Sequence, residues 1–350
     1  MIARWLGGMA MAAAVMLGGF SACRQSEQSQ AGGGGPLKVG LIVTGSTADN
    51  GWNQLAGNSL TRLAGEQKIS TQVLQNVKQD KAADAIRQFE AQGFGLVIAH
   101  GYEYLDAAKE LTDPSKPTAV KIKIAVSGGD VDKAPFESLL YDLAPASYEL
   151  GVIAAKVSRT GKVGFIGGQP FPTVTAMQRG FEAGAKSVKP DVQVTAVYTD
   201  NWDNPAVSKQ KAEGLIAAGV DVIMQNVDAA SSGVFEAVKE YNQNPPQGLL
   251  APEPVYTFGA NSDQNDNKVC PNYTLASAVI KMDAAFGDAV KRVQDGSFKG
   301  GLIREDVANG RAVAVINPRL AGKVIDADTQ KLVEEAAKKL AGGEIKIPEK

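Results

Sequence analysis

The residues best suited to hold a small molecule fall in short polar clusters, each placed directly after an apolar run. The first holds Asp49, Asn50, Trp52 and Asn53, an acid, two amides and an indole in one short loop. Others are His100-Gly101-Tyr102, Asp130, Asn201-Trp202, Asn226 with Asp228, and Asn261 with Asp263. Carboxylates and amides can orient a ligand by hydrogen bonding while aromatic rings wall it in, which is how a preformed small-molecule site is built. Taken singly, each cluster reads as a turn. Brought to one place, they read as a binding cleft. Catalysis is a poorer fit: there is one histidine, and the chain has no HExxH, CxxC, P-loop or GxSxG motif. No two carboxylates stand out as a glycosidase pair, and His100 has no histidine or cysteine companion with which to hold a metal. We therefore expect a binding protein, not an enzyme, with no cofactor and no metal.

These clusters need a scaffold that gathers strand ends. Residues 39–43 form an uninterrupted apolar run, the mark of a parallel strand buried on both faces. Helical periodicity begins near Trp52, and strand-like and helix-like segments then alternate: strands at 71–77, 94–99 and 122–126, with an amphipathic helix carrying Ala82, Ile86 and Phe89. The pattern restarts at 139–143, followed by a helix over 144–157, a strand-then-glycine segment at 161–168 and strands at 192–198 and 221–224. Asn204-Pro205 is a helix start, a cap followed by proline at the first helical position. Strands at 255–259, 276–280 and 311–316 and a helix over 329–340 complete the chain. Alternation of this kind predicts an α/β protein with parallel sheets. In open α/β sheets, ligands bind outside the carboxyl ends of the strands, where the polar clusters stand. The expected lobes are residues 37–143 plus 255–300 and residues 144–254 plus 301–345. The chain would cross between them near Asp142-Leu143, Pro252 and Gly300-Gly301.

The first 22 residues have a different character. Arg4 precedes an apolar, small-residue run over 6–19, and Phe20-Ser21-Ala22-Cys23 closes it, as in a secretory signal peptide. The Phe-Ser-Ala-Cys end resembles a bacterial lipobox, so Cys23 is the expected lipidation site and residues 23–36, rich in Gln, Ser and Gly, a flexible tether. Cleavage without lipid is the alternative. With Cys23 lipidated, Cys270 has no partner for a disulfide. A formal charge of −2, with Lys and Arg spread along the chain, gives no footprint for nucleic acid.

Several blocks carry a family resemblance: Asp49-Asn50-Gly51-Trp52-Asn53; Ala146-Ser147-Tyr148-Glu149-Leu150-Gly151 with the glycine-ended strand over 160–168; Gly180-Phe181-Glu182-Ala183-Gly184-Ala185; Trp202-Asp203-Asn204-Pro205-Ala206; Gly219-Val220-Asp221-Val222-Ile223; Ser262-Asp263-Gln264; and Lys281-Met282-Asp283. From residue 37 to about 318 the chain resembles the basic membrane protein family of ABC-transporter substrate-binding lipoproteins, which includes the purine-nucleoside receptor. The resemblance implies a two-lobed type I periplasmic binding protein fold, with a hinge between lobes and a ligand closed in the cleft. It implies an ABC permease and ATPase as partners, export with a lipid anchor on the cell membrane facing the periplasm or cell exterior, and a purine nucleoside or nucleobase as ligand. In nucleoside-binding relatives two aromatics sandwich the base; here Trp52 or Tyr102 stands for the first ring and Trp202 for the second. Lys281 matches the position of a ribose-binding lysine. Asn261 stands where many relatives have an acid, and residues 225–228 depart from their glycine-rich segment. A sugar or other small polar solute, or a sensing role without transport, remain the alternative readings.

Overall fold

The computed structural model describes residues 35–49, 51–245 and 253–349. The expected signal peptide, most of the expected tether with Cys23, Asn50 and Pro252 lie outside the described residues.

The first lobe opens with β1 (Lys38–Val43), whose apolar run is buried from its second residue onward. It continues through α1 (Trp52–Glu66), β2 (Ser70–Leu74), α2 (Ala82–Ala91), β3 (Leu96–His100), α3 (Leu105–Thr112), β4 (Lys123–Ser127) and β5 (Glu137–Tyr141). The second lobe contains α4 (Ala144–Val157), β6 (Lys162–Gly167), α5 (Pro172–Val188), β7 (Gln193–Tyr198), α6 (Pro205–Ala217), β8 (Val222–Asn226), α7 (Ser231–Gln243), β9 (Tyr256–Asn261) and β10 (Thr274–Ile280). The chain then returns for α8 (Met282–Gln294) and β11 (Gly301–Glu305), and crosses once more to β12 (Ala312–Ile316) and α9 (Ala327–Ala341).

Two six-stranded sheets result, in the orders β11-β5-β4-β3-β1-β2 and β12-β10-β9-β8-β6-β7. The orders correspond strand for strand, so each lobe is the same winding carried out once. Every pairing is parallel except β12 against β10. Central strands β3 and β8 are buried along their whole length, as strands covered by helices on both faces must be.

This topology corrects the expected lobe boundaries. Strands β9 and β10, assigned by sequence to the first lobe, join the second sheet, and β11, assigned to the second, forms an edge of the first. Helix α8 does belong to the first lobe, where Arg292 forms a bidentate ion pair at 2.7 and 2.8 Å with the buried carboxylate of Glu137 on β5. The physical reason is that apolarity specifies burial but not which sheet receives a buried parallel strand. The crossings therefore lie at residues 142–143, 281 and 306–311. They are bonded to each other: Asp142 N–H donates to the Glu305 carbonyl at 2.9 Å and Lys281 N–H to the Arg311 carbonyl at 2.7 Å. An Asp142–Arg304 ion pair at 2.8 Å joins the first crossing to β11.

Helices α4 and α5 pack at backbone distance in the second lobe. A side chain at Gly184 would collide with the Tyr148 carbonyl oxygen, and one at Gly151 with that of Phe181. The small residues of both helix motifs are thus explained by packing.

Candidate functional site

Between the lobes lies a cleft lined by the carboxyl ends of strands from both sheets, including Thr44, Trp52, Asn53, Tyr102, Glu103 and Tyr141 from the first and Phe171, Met177, Trp202, Asp203, Asn226, Asp228 and Asn261 from the second. The lobes touch across it. Gly51 carries no side chain where a Cβ would lie 3.0 Å from the Asp228 Cα, and the ring of Tyr102 stacks on that of Phe171 at 5.8 Å and 27°.

Asp49 sets the first-lobe loop. Its two carboxylate oxygens accept from the backbone N–H groups of Gly51, Asn53 and Gln54 at 2.9, 3.0 and 2.9 Å, and from the Asn53 side-chain amide at 2.8 Å. The three backbone donors stand at the start of α1, so the carboxylate acts as its cap. Asp49 is thereby spent on the helix and is not among the residues lining the cleft. Trp52, one residue into the helix, stacks on the fully buried His100 ring at 4.0 Å and meets Tyr141 edge-on at 5.7 Å.

A buried chain of hydrogen bonds runs beneath that indole. His100 Nε2 lies 3.1 Å from the Trp52 carbonyl oxygen, His100 Nδ1 2.8 Å from Ser127 Oγ, and Ser127 Oγ 3.1 Å from the Tyr141 hydroxyl. Burial pushes the imidazole down to about 3, so it is neutral at ordinary pH, and burial raises the Tyr141 phenol well above its usual value.

The second lobe contributes a carboxylate and two amides in series. Asn261 Nδ2 donates both to Asp228 Oδ1 at 3.0 Å and to Asn226 Oδ1 at 3.2 Å, and Asn226 Nδ2 faces the Met177 sulfur at 3.1 Å. Asp228 and Asn261 both have left-handed backbone, φ 48° and 64°, a conformation that Asp and Asn tolerate better than most residues. Burial and the nearby Asp49 carboxylate push the Asp228 carboxyl up to about 8. Burial likewise raises Glu103. Trp202 is held from two loops: the Ala230 N–H, in the turn after β8, donates to its carbonyl at 2.9 Å, and in its own loop the Asn201 side chain accepts from the Asp203 and Asn204 N–H groups, both at 2.7 Å.

Of the residues singled out by sequence, Trp52, Asn53, Tyr102, Trp202, Asn226, Asp228 and Asn261 line the cleft. Gly101, buried, and Asp130, half-buried, are not among the lining residues. Lys281 is exposed at the cap of α8 and outside the lining, where Ile280 takes its place. Sequence reasoning missed Glu103, Tyr141, Met177 and, above all, Phe171. The Phe171 ring stands between Tyr102 and Trp202, 5.8 Å from one centroid and 5.9 Å from the other, so the wall has three rings, not two. Its signal was the aromatic set between two prolines, Pro170 and Pro172, just after a glycine-ended strand. Among the described residues lining the cleft there is no lysine or arginine, while Glu103, Asp203 and Asp228 are all acids.

Two lobes of matched winding with a polar, aromatic cleft between them define a type I periplasmic binding protein. A solute-binding protein from Aeropyrum pernix has this fold, with a TM-score of 0.76 at 20% identity over 90% of this chain and 94% of that one. So does one from Actinobacillus succinogenes with bound D-allose, with a TM-score of 0.62 at 13% identity over 80% and 98%. The model of the PnrA-like ABC transporter substrate-binding family matches residues 37–350, and the chain belongs to that family. It is a family of extracytoplasmic solute-binding proteins that serve ABC transporters, not of enzymes. The sequence is 28% identical over 360 residues to the CD4+ T-cell-stimulating antigen of Listeria innocua, covering 98% of this chain and 97% of that one. It is 27% identical to the ABC transporter nucleoside-binding protein BmpA of Lactococcus lactis over 98% and 97%, and 28% identical to a purine-binding protein of Brucella abortus over 88% and 82%. No helix among the described residues is long and apolar enough to cross a membrane.

Proposed function

We propose that this protein captures a purine nucleoside or nucleobase outside the cytoplasm and hands it to an ABC permease, tethered by lipid on Cys23. The observation that carries the ligand is the lining itself: aromatic rings from both lobes, carboxylates and amides, and no cation. Rings of this kind stack on a planar heterocycle, and such contacts contribute about 1 kcal/mol beyond area burial. Asp203 accepts from amino and hydroxyl groups, Asp228, held toward its protonated form, can also donate, and among the described lining residues no lysine or arginine stands ready to pair with a phosphate. The names of relatives from Lactococcus lactis and Brucella abortus point the same way. On this reading the base lies between Trp52 and the wall formed by Phe171 and Trp202.

The test is mass spectrometry of ligand extracted from purified protein, followed by titration of tryptophan fluorescence. Trp5 leaves with the signal peptide, so Trp52 and Trp202 are the only indoles of the mature chain and both line the cleft. Purines that leave the emission unchanged, with a sugar recovered by extraction, would overturn the reading. The anchor is tested separately: Cys23→Ser should abolish lipid labelling and release the protein from membranes, and unchanged labelling would exclude a lipidated Cys23.

A further inference from the structure

The buried chain from Trp52 to Tyr141 has only one consistent direction. The Trp52 carbonyl oxygen can only accept, so the His100 Nε2 facing it carries the ring proton. Around His100 are the Trp52 indole, the Phe286 ring at 6.1 Å and the Ser127 hydroxyl, and none of its contacts is a carboxylate that would hold a second proton. A neutral imidazole protonated at Nε2 has a bare Nδ1, so Ser127 donates its single proton there. The Ser127 oxygen can then only accept from the Tyr141 hydroxyl. Tyr141 lines the cleft with its proton already committed inward to Ser127, so a ligand group that reaches its hydroxyl meets oxygen lone pairs only.

We propose that the Tyr141 hydroxyl oxygen is a specificity-determining acceptor of the cleft, held in that polarity by Ser127 and His100, and that it selects ligands presenting an N–H or O–H donor to it. Tyr141 is the residue that meets the ligand; Ser127 and His100 are positioning residues. The identity of the donor rests on the purine reading above, whereas the polarity of the chain does not. The cost of a wrong partner is large because a buried acceptor facing a second acceptor, or nothing, loses its solvation without replacement.

Two experiments test this. In the first, calorimetry compares wild type and Tyr141→Phe with adenosine and analogues that each lack one donor: purine riboside and 2′-, 3′- and 5′-deoxyadenosine. One analogue should bind wild type roughly tenfold more weakly than adenosine, and Tyr141→Phe should erase that difference while leaving the other analogues in their original order. Ser127→Ala, which frees the tyrosine proton to point into the cleft, should relax the same discrimination. A Tyr141→Phe protein that binds all analogues as wild type does, or loses all of them by one common factor, overturns the proposal. A wild type that binds none of the five overturns the purine reading instead. The second experiment needs no ligand. His100 is the single histidine of the chain, so nitrogen NMR of the labelled protein reports its tautomer without ambiguity. The Nε2–H form should persist from about pH 5 to 8; an Nδ1–H signal, or titration within that range, overturns the assigned polarity whatever the ligand is.

Discussion

The two lobes wind alike and yet hold their cleft residues by different means. In the first lobe, hydrogen bonds borrowed from elsewhere do the positioning: Asp49 caps α1, and the buried His100 and Ser127 orient Trp52 and Tyr141. In the second lobe the backbone does it, with Asp200, Asp228 and Asn261 all in the left-handed region. The first lobe therefore offers a prearranged surface, and the second a set of turns that carry the rings of Phe171 and Trp202. Each solution leaves a signature that measurement can separate.

The largest expected effect is opposite pH dependence of stability. His100 has its folded value lowered from 6.5 to about 3. Between those values only the unfolded chain binds the proton, so stability should fall as pH drops from 6.5 toward 3. In the second lobe, burial pushes Glu149 from 4.5 up to about 8. Between those values only the folded state holds the proton, so this contribution should be full below 4.5 and lost as pH rises through 8. Each limb amounts to at most about 5 kcal/mol. Denaturant titrations across pH should show His100→Gln steepening the loss of stability between pH 4.5 and 6.5, where the two contributions oppose each other, and Glu149→Gln removing part of the loss toward pH 8, the rest of which comes from Asp228, also raised to about 8. A profile insensitive to both changes would remove the contrast between lobes.

A smaller effect comes from the cap. Asp49→Ala leaves three backbone donors of the first loop without their acceptor and should cost about 2 kcal/mol of stability, read as a shift in the denaturation midpoint at unchanged slope. Asp49→Asn should recover part of it and, by removing a negative charge near Asp228, move that carboxyl back toward its usual value. Next comes Trp202→Ala. Its ring is half-buried in a surface loop, so binding of a purine should weaken by about tenfold or more while melting stays close to wild type. A comparable loss in Phe171→Ala would assign the wall to the pair of rings. The smallest effect is Lys281→Ala, which should change affinity less than about twofold, because the side chain is exposed and outside the cleft lining. A larger loss would bring the lysine into the site and restore the ribose contact that the resemblance implies.

What was readable in the sequence follows from how local each cause is. The opening strand and the start of α1 at Trp52 were legible because an apolar run and a capping acid are neighbours in the chain. The bounds of α4, Ala144–Val157, were legible for the same reason. Strand β11 was not, since Gly301–Glu305 has only two apolar residues and lies at a half-exposed edge. Helix α7 also went unread. Its neighbours β9 and β10 were seen as strands but sent to the wrong sheet, because their partners lie far away in sequence. At the site, polar strand ends announced Asn226, Asp228 and Asn261. Tyr141, at the end of an apolar segment, looked like core, and its role depends on a serine and a histidine from two other strands. His100 itself was noted as part of a polar strand end and as a histidine without a metal companion. Its buried, neutral state is a product of tertiary packing.

The interleaving of the lobes bears on how such a chain matures. Neither lobe is a continuous stretch: the first sheet waits for β11 at its edge and for α8 across its face, and the second waits for β12 and α9. A chain emerging residue by residue from an export channel presents most of both lobes early but can finish neither until its last segments arrive. Such long-range closure is slow and exposes apolar surface meanwhile. The two halves therefore mature together and late, and a truncation past residue 300 would cost both lobes at once, although the loss is written at only one end of the chain.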